Sequence, residues 1–177
     1  MFRSKASTPS QPESLWSMQA LTLNYLIEGK VKPNGEVLTL MAGGPQYYER
    51  RYVLTLTDAR VRPTADLNIP ELHVPTWTVE HRGNLVALVP DDEDSLQAML
   101  KNNAYTKVSY RASFYIGPYH IRATVTQPSP TLSFETYAFM AAKDVEIDCL
   151  LPGSKLVGFK KPWMVINREM SQGYHPE

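Results

Sequence analysis

The amino-acid sequence predicts a mainly β protein with short helices (α+β), built as two tandem small β-barrel-like domains joined by a helical linker. Over several short segments apolar residues alternate with polar ones, as in strands with one buried face. Turn formers are frequent, with 14 prolines and 9 glycines among 177 residues. The order of segments in the first half of the chain recurs in the second. Short strands with many turns favour closed or nearly closed barrels, because closure removes exposed edges.

The first repeat is predicted over residues 19–90. It opens on one strand from Gln19 to Val31, in which Leu26 interrupts the alternation. A short helix over 36–42 and a strand over 47–56 follow. The prolines between Arg62 and Thr76 indicate an insertion that projects from this repeat as its specific contact element, since loops on rigid scaffolds often carry recognition.

The second repeat is predicted over residues 106–170, and its segment 119–126 has the alternation of the first strand. We therefore expect Ile27 and Ile121 to be equivalent and buried, and Val31 and Val125 likewise.

Both repeats contain an aspartate where two strands are predicted to meet, Asp58 in TDARV and Asp144 in KDVEI. Aspartate favours turns because its carboxylate can accept hydrogen bonds from nearby backbone N–H groups. Both repeats then end in an apolar strand, NLVALV in the first and WMVINR in the second. The HRGN segment before NLVALV is predicted to be a hairpin turn.

The linker, residues 91–105, is predicted to be a helix, with acidic residues in its first turn and Lys101 in its last. Residues 1–18 and 171–177 are predicted to be tails. Each repeat is too small for an independent core, so we expect the two barrels to pack on each other about a local pseudo-twofold axis, bridged by this helix.

The phrases IEGKV, TLTDARV and WMVINRE resemble an uncharacterised family of small bacterial β-rich domains. The resemblance covers residues 19–90, and more loosely 106–170, where Arg122-Ala123 replaces the Glu-Gly of IEG. It implies a small β-rich fold and carries no catalytic residue.

Composition excludes several classes of function. Eighteen basic residues balance eighteen acidic ones, which argues against a strong field for nucleic acid or an anionic membrane. A single cysteine, Cys149, excludes an internal disulfide framework and fits a reducing compartment. The polar N-terminus has no signal-peptide core, and no apolar run is long enough to span a membrane. A cytoplasmic protein that does not bind membranes is expected.

No catalytic motif is recognisable. The four histidines lack the spacing of a metal site, no serine stands in a G-x-S-x-G context, and Cys149 in its apolar surroundings is interpreted as a buried structural thiol. We expect no catalytic residue, no metal and no cofactor. We also expect no two His, Cys, Asp or Glu side chains from distant parts of the chain to converge in a pocket.

Mixed aromatic and basic clusters are the remaining candidates for binding. The candidate binding residues are Tyr47, Tyr48, Arg50, Arg51, Tyr110, Arg111, His120, Arg122, Lys160, Lys161 and Trp163. Tyrosine, tryptophan and arginine are favoured at protein–protein hot spots, and rings with cations also bind single-stranded nucleic acid.

Three hypotheses follow. The leading one is a non-catalytic protein that acts through a protein partner or self-association. The alternative is a barrel that binds single-stranded nucleic acid through its Tyr/Arg faces. The third is an enzyme with an unrecognised site.

Overall fold

The described part of the chain is almost entirely β-strand. A computed structural model describes residues 15–33, 53–65, 69–91, 108–127, 139–154 and 156–177. The strands are β1 (Trp16–Thr22), β2 (Tyr25–Val31), β3 (Val53–Pro63), β4 (Leu72–Glu80), β5 (Leu85–Pro90), β6 (Val108–Ile116), β7 (Tyr119–Gln127), β8 (Phe139–Cys149), β9 (Phe159–Asn167) and β10 (Gly173–Pro176). Two short helical turns, α1 (His81–Asn84) and a 3-10 turn (Arg168–Met170), precede β5 and β10.

All ten strands form one open antiparallel sheet, in the order β10-β6-β7-β8-β9-β5-β1-β2-β3-β4. The prediction of an α+β pair of barrels is therefore wrong. The physical reason is that β9 hydrogen-bonds to β5, so the second half continues the sheet of the first instead of closing on itself. The predicted linker helix lies outside the described residues except for Asp91, as does the predicted helix at 36–42.

The strand order repeats within this sheet. The first half reads β5-β1-β2-β3-β4 and the second reads β10-β6-β7-β8-β9. We call β1–β5 copy 1 and β6–β10 copy 2. The segment 171–177, predicted to be a tail, contains β10, which pairs with β6 as β5 pairs with β1.

The register repeats as well. The β2–β3 pairing shifts between Glu28 and Lys30, and the β7–β8 pairing shifts between Arg122 and Thr124. Ile27 and Ile121 are thereby equivalent, as are Val31 and Val125, and all four are buried. The predicted burial of these two pairs is confirmed, although Ile27 and Val31 belong to one hydrophobic cluster and Ile121 and Val125 to another, on the opposite face of the sheet.

The register shifts are bulges centred on the two aspartates. Asp58 has φ 53° and Asp144 has φ 49°, in the left-handed region that aspartate tolerates better than most residues. Each lies inside one continuous strand, β3 or β8, and not at a joint between two strands as the sequence predicts. A proline, Pro75 or Pro162, occurs at the equivalent position of the next strand, β4 or β9.

The predicted strand from Gln19 to Val31 is two strands. The chain reverses at Leu23 and Asn24, where the backbone N–H of Tyr25 donates to Thr22 Oγ1 over 3.0 Å. This turn changes the phase of the alternation, which explains why Leu26 interrupts it.

The predicted hairpin at HRGN is also wrong. These residues form α1, and β5 pairs with β1 and β9, not with β4. Consequently NLVALV and WMVIN are not equivalent: β9 corresponds to β4, and β5 to β10. Much of the Pro-rich segment 62–76, predicted to project, belongs to β3 and β4.

Two hydrophobic clusters form the core. One is made mainly by copy 1 and the other mainly by copy 2. Along β9, Trp163 and Val165 belong to the first cluster, and Met164 and Ile166 to the second. Because successive side chains of a strand point to opposite faces, the clusters cover opposite faces of the sheet where the copies meet.

Among the described residues, none of the helical segments has the length and apolar character needed to cross a membrane.

Candidate interaction site at the joint between the copies

The predicted binding residues do not form one surface. Tyr47, Tyr48, Arg50 and Arg51 lie outside the described residues. The other seven lie on β6, β7 and β9 of copy 2: Tyr110, Arg111, His120, Arg122, Lys160, Lys161 and Trp163.

Arg122 is the centre of an ion-pair cluster. Its Nη2 lies 3.2 Å from Glu146 Oε1 and 3.1 Å from Asp148 Oδ2, on the neighbouring strand β8. Lys160 Nζ approaches the same carboxylate of Glu146, at 3.8 Å. The positive charge of Arg122 is therefore neutralised within the sheet surface.

Copy 1 has the same cluster with the charges reversed. Glu28, at the position of Arg122, is buried and contacts Arg60 Nη2 at 2.5 Å and also Arg62. Since Arg60 and Arg62 are equivalent to Glu146 and Asp148, both copies keep a paired charge at this place while inverting its sign. Because the two copies share the ion pairs but not the sign of the central charge, the pairing itself indicates a structural role.

Three of the predicted cations line one open concavity of about 340 Å³, namely Arg111, Lys160 and Lys161. Asp144 and Glu146 line it too. Arg111 donates to the Asp144 carbonyl oxygen over 3.0 Å and lies 3.6 Å from Glu177. Lys161 Nζ lies 3.6 Å from Asp91 Oδ1, so acidic partners accompany each of these cations.

The two predicted aromatic residues that the structure describes, Tyr110 and Trp163, are not solvent-facing platforms. Trp163 is buried in the first core cluster, with Lys143 Nζ 5.4 Å from its ring centroid. Tyr110 is half-buried and packs against the second cluster.

His120 takes part in a contact that the sequence did not predict. Its Nε2 lies 3.3 Å from Ser113 Oγ, and that hydroxyl donates to Glu177 Oε1 over 2.7 Å. His120 and Glu177 thus contact the same hydroxyl, but neither lines a described concavity, so the expectation that no such side chains converge in a pocket stays a prediction. Ser113 is only 1% exposed, so its hydroxyl is not accessible to a substrate as a nucleophile would be. Within the described ranges, no group of three or more His, Cys, Asp or Glu side chains could hold a metal ion.

The joint where β5 of copy 1 pairs with β9 of copy 2 is buried on both faces of the sheet. Its register pairs Ala87 with Ile166 and Leu88 with Val165. All four side chains are buried, because one core cluster covers each face of the sheet here. A strand that is buried on both faces needs apolar residues at every position. This explains why NLVALV and WMVI are continuous apolar runs without alternating polar residues.

The side chains cross this joint in both directions. Leu21 and Leu26 of copy 1 belong to the cluster made mainly by copy 2. Phe139, Trp163 and Val165 of copy 2 belong to the cluster made mainly by copy 1. The two copies therefore share one core at the joint, unlike two separately folded domains that meet through their surfaces.

Tyr119 adds a polar anchor to the joint. Its hydroxyl donates to the carbonyl oxygen of Thr22 over 2.8 Å, lies 3.2 Å from that of Leu23, and accepts from Thr64 Oγ1 at 2.9 Å. All three partners belong to copy 1, at its β1–β2 turn and just after β3. Burial raises the pKa of this phenol well above its ordinary value, which keeps it protonated and able to donate.

The turns beside Tyr119 approach closely. Gly117 has φ 53°, and a Cβ atom added there would lie 2.5 Å from Leu23 Cδ2. The left-handed conformation favours glycine at this position, and a larger residue would also have to displace the end of the Leu23 side chain.

Comparison with protein-family models, with curated proteins and with solved structures found no match.

Sequence reasoning missed Tyr119, Leu21 and Leu26 as joint residues. The available signal was the pair of apolar runs, each too continuous for a strand with one solvent face. Tyr119 gave no such signal, because it begins an alternating strand just as its equivalent Tyr25 does, and Tyr25 is not in the joint.

Proposed function

We propose that the protein is non-catalytic and acts through protein–protein contacts, with self-association as the principal one. The observation that supports this most directly is the β5–β9 joint. It is a contact between two copies of the same module, made by pairing of edge strands and sealed by apolar side chains on both faces. A module with this geometry is suited to associate with further copies of itself.

The polar clusters favour the same proposal over catalysis. The Glu28 and Arg122 clusters are pairs of opposite charge on a sheet, and Ser113 beside His120 is buried. A reacting group needs access to its substrate, and these arrangements stabilise the sheet instead.

Binding of single-stranded nucleic acid has weaker support. Arg111, Lys160 and Lys161 are brought into one concavity, but each has an acidic partner. Binding of nucleic acid needs cations that neutralise phosphates, and the charge of these three is already balanced by carboxylates. Fluorescence anisotropy with labelled oligonucleotides at low salt would test it. Tight binding that is lost in the Lys160→Gln/Lys161→Gln variant would favour this alternative over ours.

Sedimentation velocity of the full chain over a wide range of concentrations tests the proposal. We expect a species larger than the monomer whose fraction rises with concentration. A monomer at every concentration would contradict self-association.

A further inference from the structure

We propose that the chain associates head to tail with a second copy of itself, with β4 of one molecule pairing with β10 of the next in the geometry of the internal β5–β9 joint. This inference rests on the proposed function and specifies its surface. Within the described residues, β4 and β10 are the two end strands of the sheet.

The two end strands are the counterparts of the two joint strands. β4 corresponds to β9, since each follows the bulged strand of its copy with the same register. β10 corresponds to β5, since each returns to pair with the first strand of its copy. One edge of the molecule, β4, is therefore the counterpart of the joint strand β9. The other edge, β10, is the counterpart of the joint strand β5.

The register of the proposed contact follows from the internal joint. Val165 and Ile166 correspond to Thr78 and Val79, and Leu88 and Ala87 correspond to Tyr174 and Gly173. Thr78 of one molecule would thus lie opposite Tyr174 of the next, and Val79 opposite Gly173.

Five exposed apolar residues lie towards the same two edges and have buried counterparts in the joint. Tyr25 is 39% exposed, whereas its equivalent Tyr119 in the joint is 0% exposed. Leu150 is 62% exposed, whereas its equivalent Thr64, which contacts Tyr119, is 3% exposed. The same contrast of an exposed residue with a buried counterpart holds for Val53 and Phe139, Tyr115 and Leu21, and Tyr174 and Leu88.

These exposed residues are distributed over both edges, as a head-to-tail contact requires. Tyr25 and Val53 belong to copy 1, at the β4 edge. Tyr115, Leu150 and Tyr174 belong to copy 2, at the β10 edge. In the proposed contact Tyr25 would take the place of Tyr119, against the β6–β7 turn and Leu150 of the next molecule.

The outer contact should be weaker than the internal joint. Thr55, Thr76 and Thr78 stand where the joint has Ala141, Trp163 and Val165. Fewer apolar atoms leave water on association, so the contact is reversible and depends on concentration. A head-to-tail contact of this kind closes into a ring or continues as a chain, unlike a twofold contact, which ends at a dimer.

The first test compares matched lysine variants by sedimentation velocity. We expect Tyr174→Lys to weaken association by about tenfold or more, as expected when a charge replaces one packed aromatic residue in an interface core. The control is Val157→Lys. Val157 is an exposed apolar residue just before β9, a strand that is already paired within the molecule and takes no part in the proposed contact. Equal association of the wild type and both variants would place the contact elsewhere and overturn the edge assignment, while leaving self-association intact.

The second test identifies the pairing by disulfide cross-linking of exposed positions. We expect molecules carrying Thr78→Cys, mixed with molecules carrying Tyr174→Cys, to form cross-linked heterodimers under mild oxidation, and neither variant to cross-link to itself. Far-UV circular dichroism checks that both variants fold. Cross-linking of Tyr174→Cys to itself would show a twofold contact and overturn the head-to-tail assignment. A chain that associates without cross-linking in the mixture overturns it too, whereas a strictly monomeric chain contradicts the proposed function itself.

Discussion

Tyr119 and Tyr25 occupy the same place in the two copies and have different surroundings. The Tyr119 hydroxyl is enclosed by Thr22, Leu23 and Thr64, while Tyr25 packs beside Trp77, with 6.1 Å between ring centroids, and stays partly exposed. One residue type thus serves as an anchor in the joint and as an edge residue outside it.

We expect Tyr119→Phe to lower the free energy of unfolding by about 1–3 kcal/mol, because the substitution leaves buried carbonyl oxygens without a donor. The control, Tyr25→Phe, should change it by less than about 0.5 kcal/mol, as is usual for partly exposed positions. Urea unfolding measures both. An effect of Tyr119→Phe as small as that of the control would show that the hydroxyl of Tyr119 does not stabilise the joint.

The same phenol predicts a dependence of stability on alkaline pH. Its pKa is raised in the folded chain, so folding favours the protonated form. The stabilisation is complete below the unfolded pKa of about 10 and is lost as pH rises above that value. Unfolding curves at rising pH should show this loss in the wild type and a smaller loss in Tyr119→Phe; identical slopes would contradict it.

Ile27 and Ile121 allow the equivalence of the copies to be tested energetically. Both are fully buried at the same position of the repeat. Ile27→Ala and Ile121→Ala should each lower the free energy of unfolding by about 2–5 kcal/mol, since each removes buried methylene groups and leaves a cavity. A negligible loss in either variant would contradict its assignment to the core.

At the scale of the elements, the bulges of β3 and β8 organise each copy. Asp58 and Asp144 take a left-handed conformation at the same register, and the strand beyond each bulge continues without interruption. The sequence indicated the repetition of these aspartates, but two strands meeting at a turn and one strand with a bulge have the same local signal. Only the pairing across β2 and β4 distinguishes them.

Substitutions at Asp58 should act mainly through backbone conformation, because its carboxylate is largely exposed and its ion pair with Lys30, at 3.5 Å, lies on the surface, where such pairs contribute little. Asp58→Val should cost about 1–2 kcal/mol, the cost of placing a β-branched residue in the left-handed region. Asp58→Gly should be nearly neutral. Thermal unfolding of the pair measures the difference, and a glycine variant as unstable as the valine variant would show that the carboxylate matters instead.

The sequence predicted strands well where one face is polar, and poorly where strands are shared. The alternation in β7 and the burial of Ile121 and Val125 follow directly from it. The joint does not, because NLVALV and WMVI are equally compatible with ending two separate barrels or with pairing to each other. Which apolar strands meet depends on contacts distant in sequence, and local patterns do not encode them.

At the scale of the whole molecule, the joint makes the two copies one structural unit. Copy 1 supplies Leu21 and Leu26 to one core cluster, and copy 2 supplies Trp163 and Val165 to the other. Neither copy can keep its core intact if the other unfolds, since each would expose apolar side chains that the other covers.

We therefore expect the chain to unfold in one cooperative transition, although its sequence is a repeat. Differential scanning calorimetry should give a single peak whose calorimetric and van't Hoff enthalpies agree. Ile27→Ala, in copy 1, and Ile121→Ala, in copy 2, should each move that whole peak to lower temperature. Two peaks, of which each variant moves only one, would show that the copies are independent domains and that the shared core contributes little to holding them together.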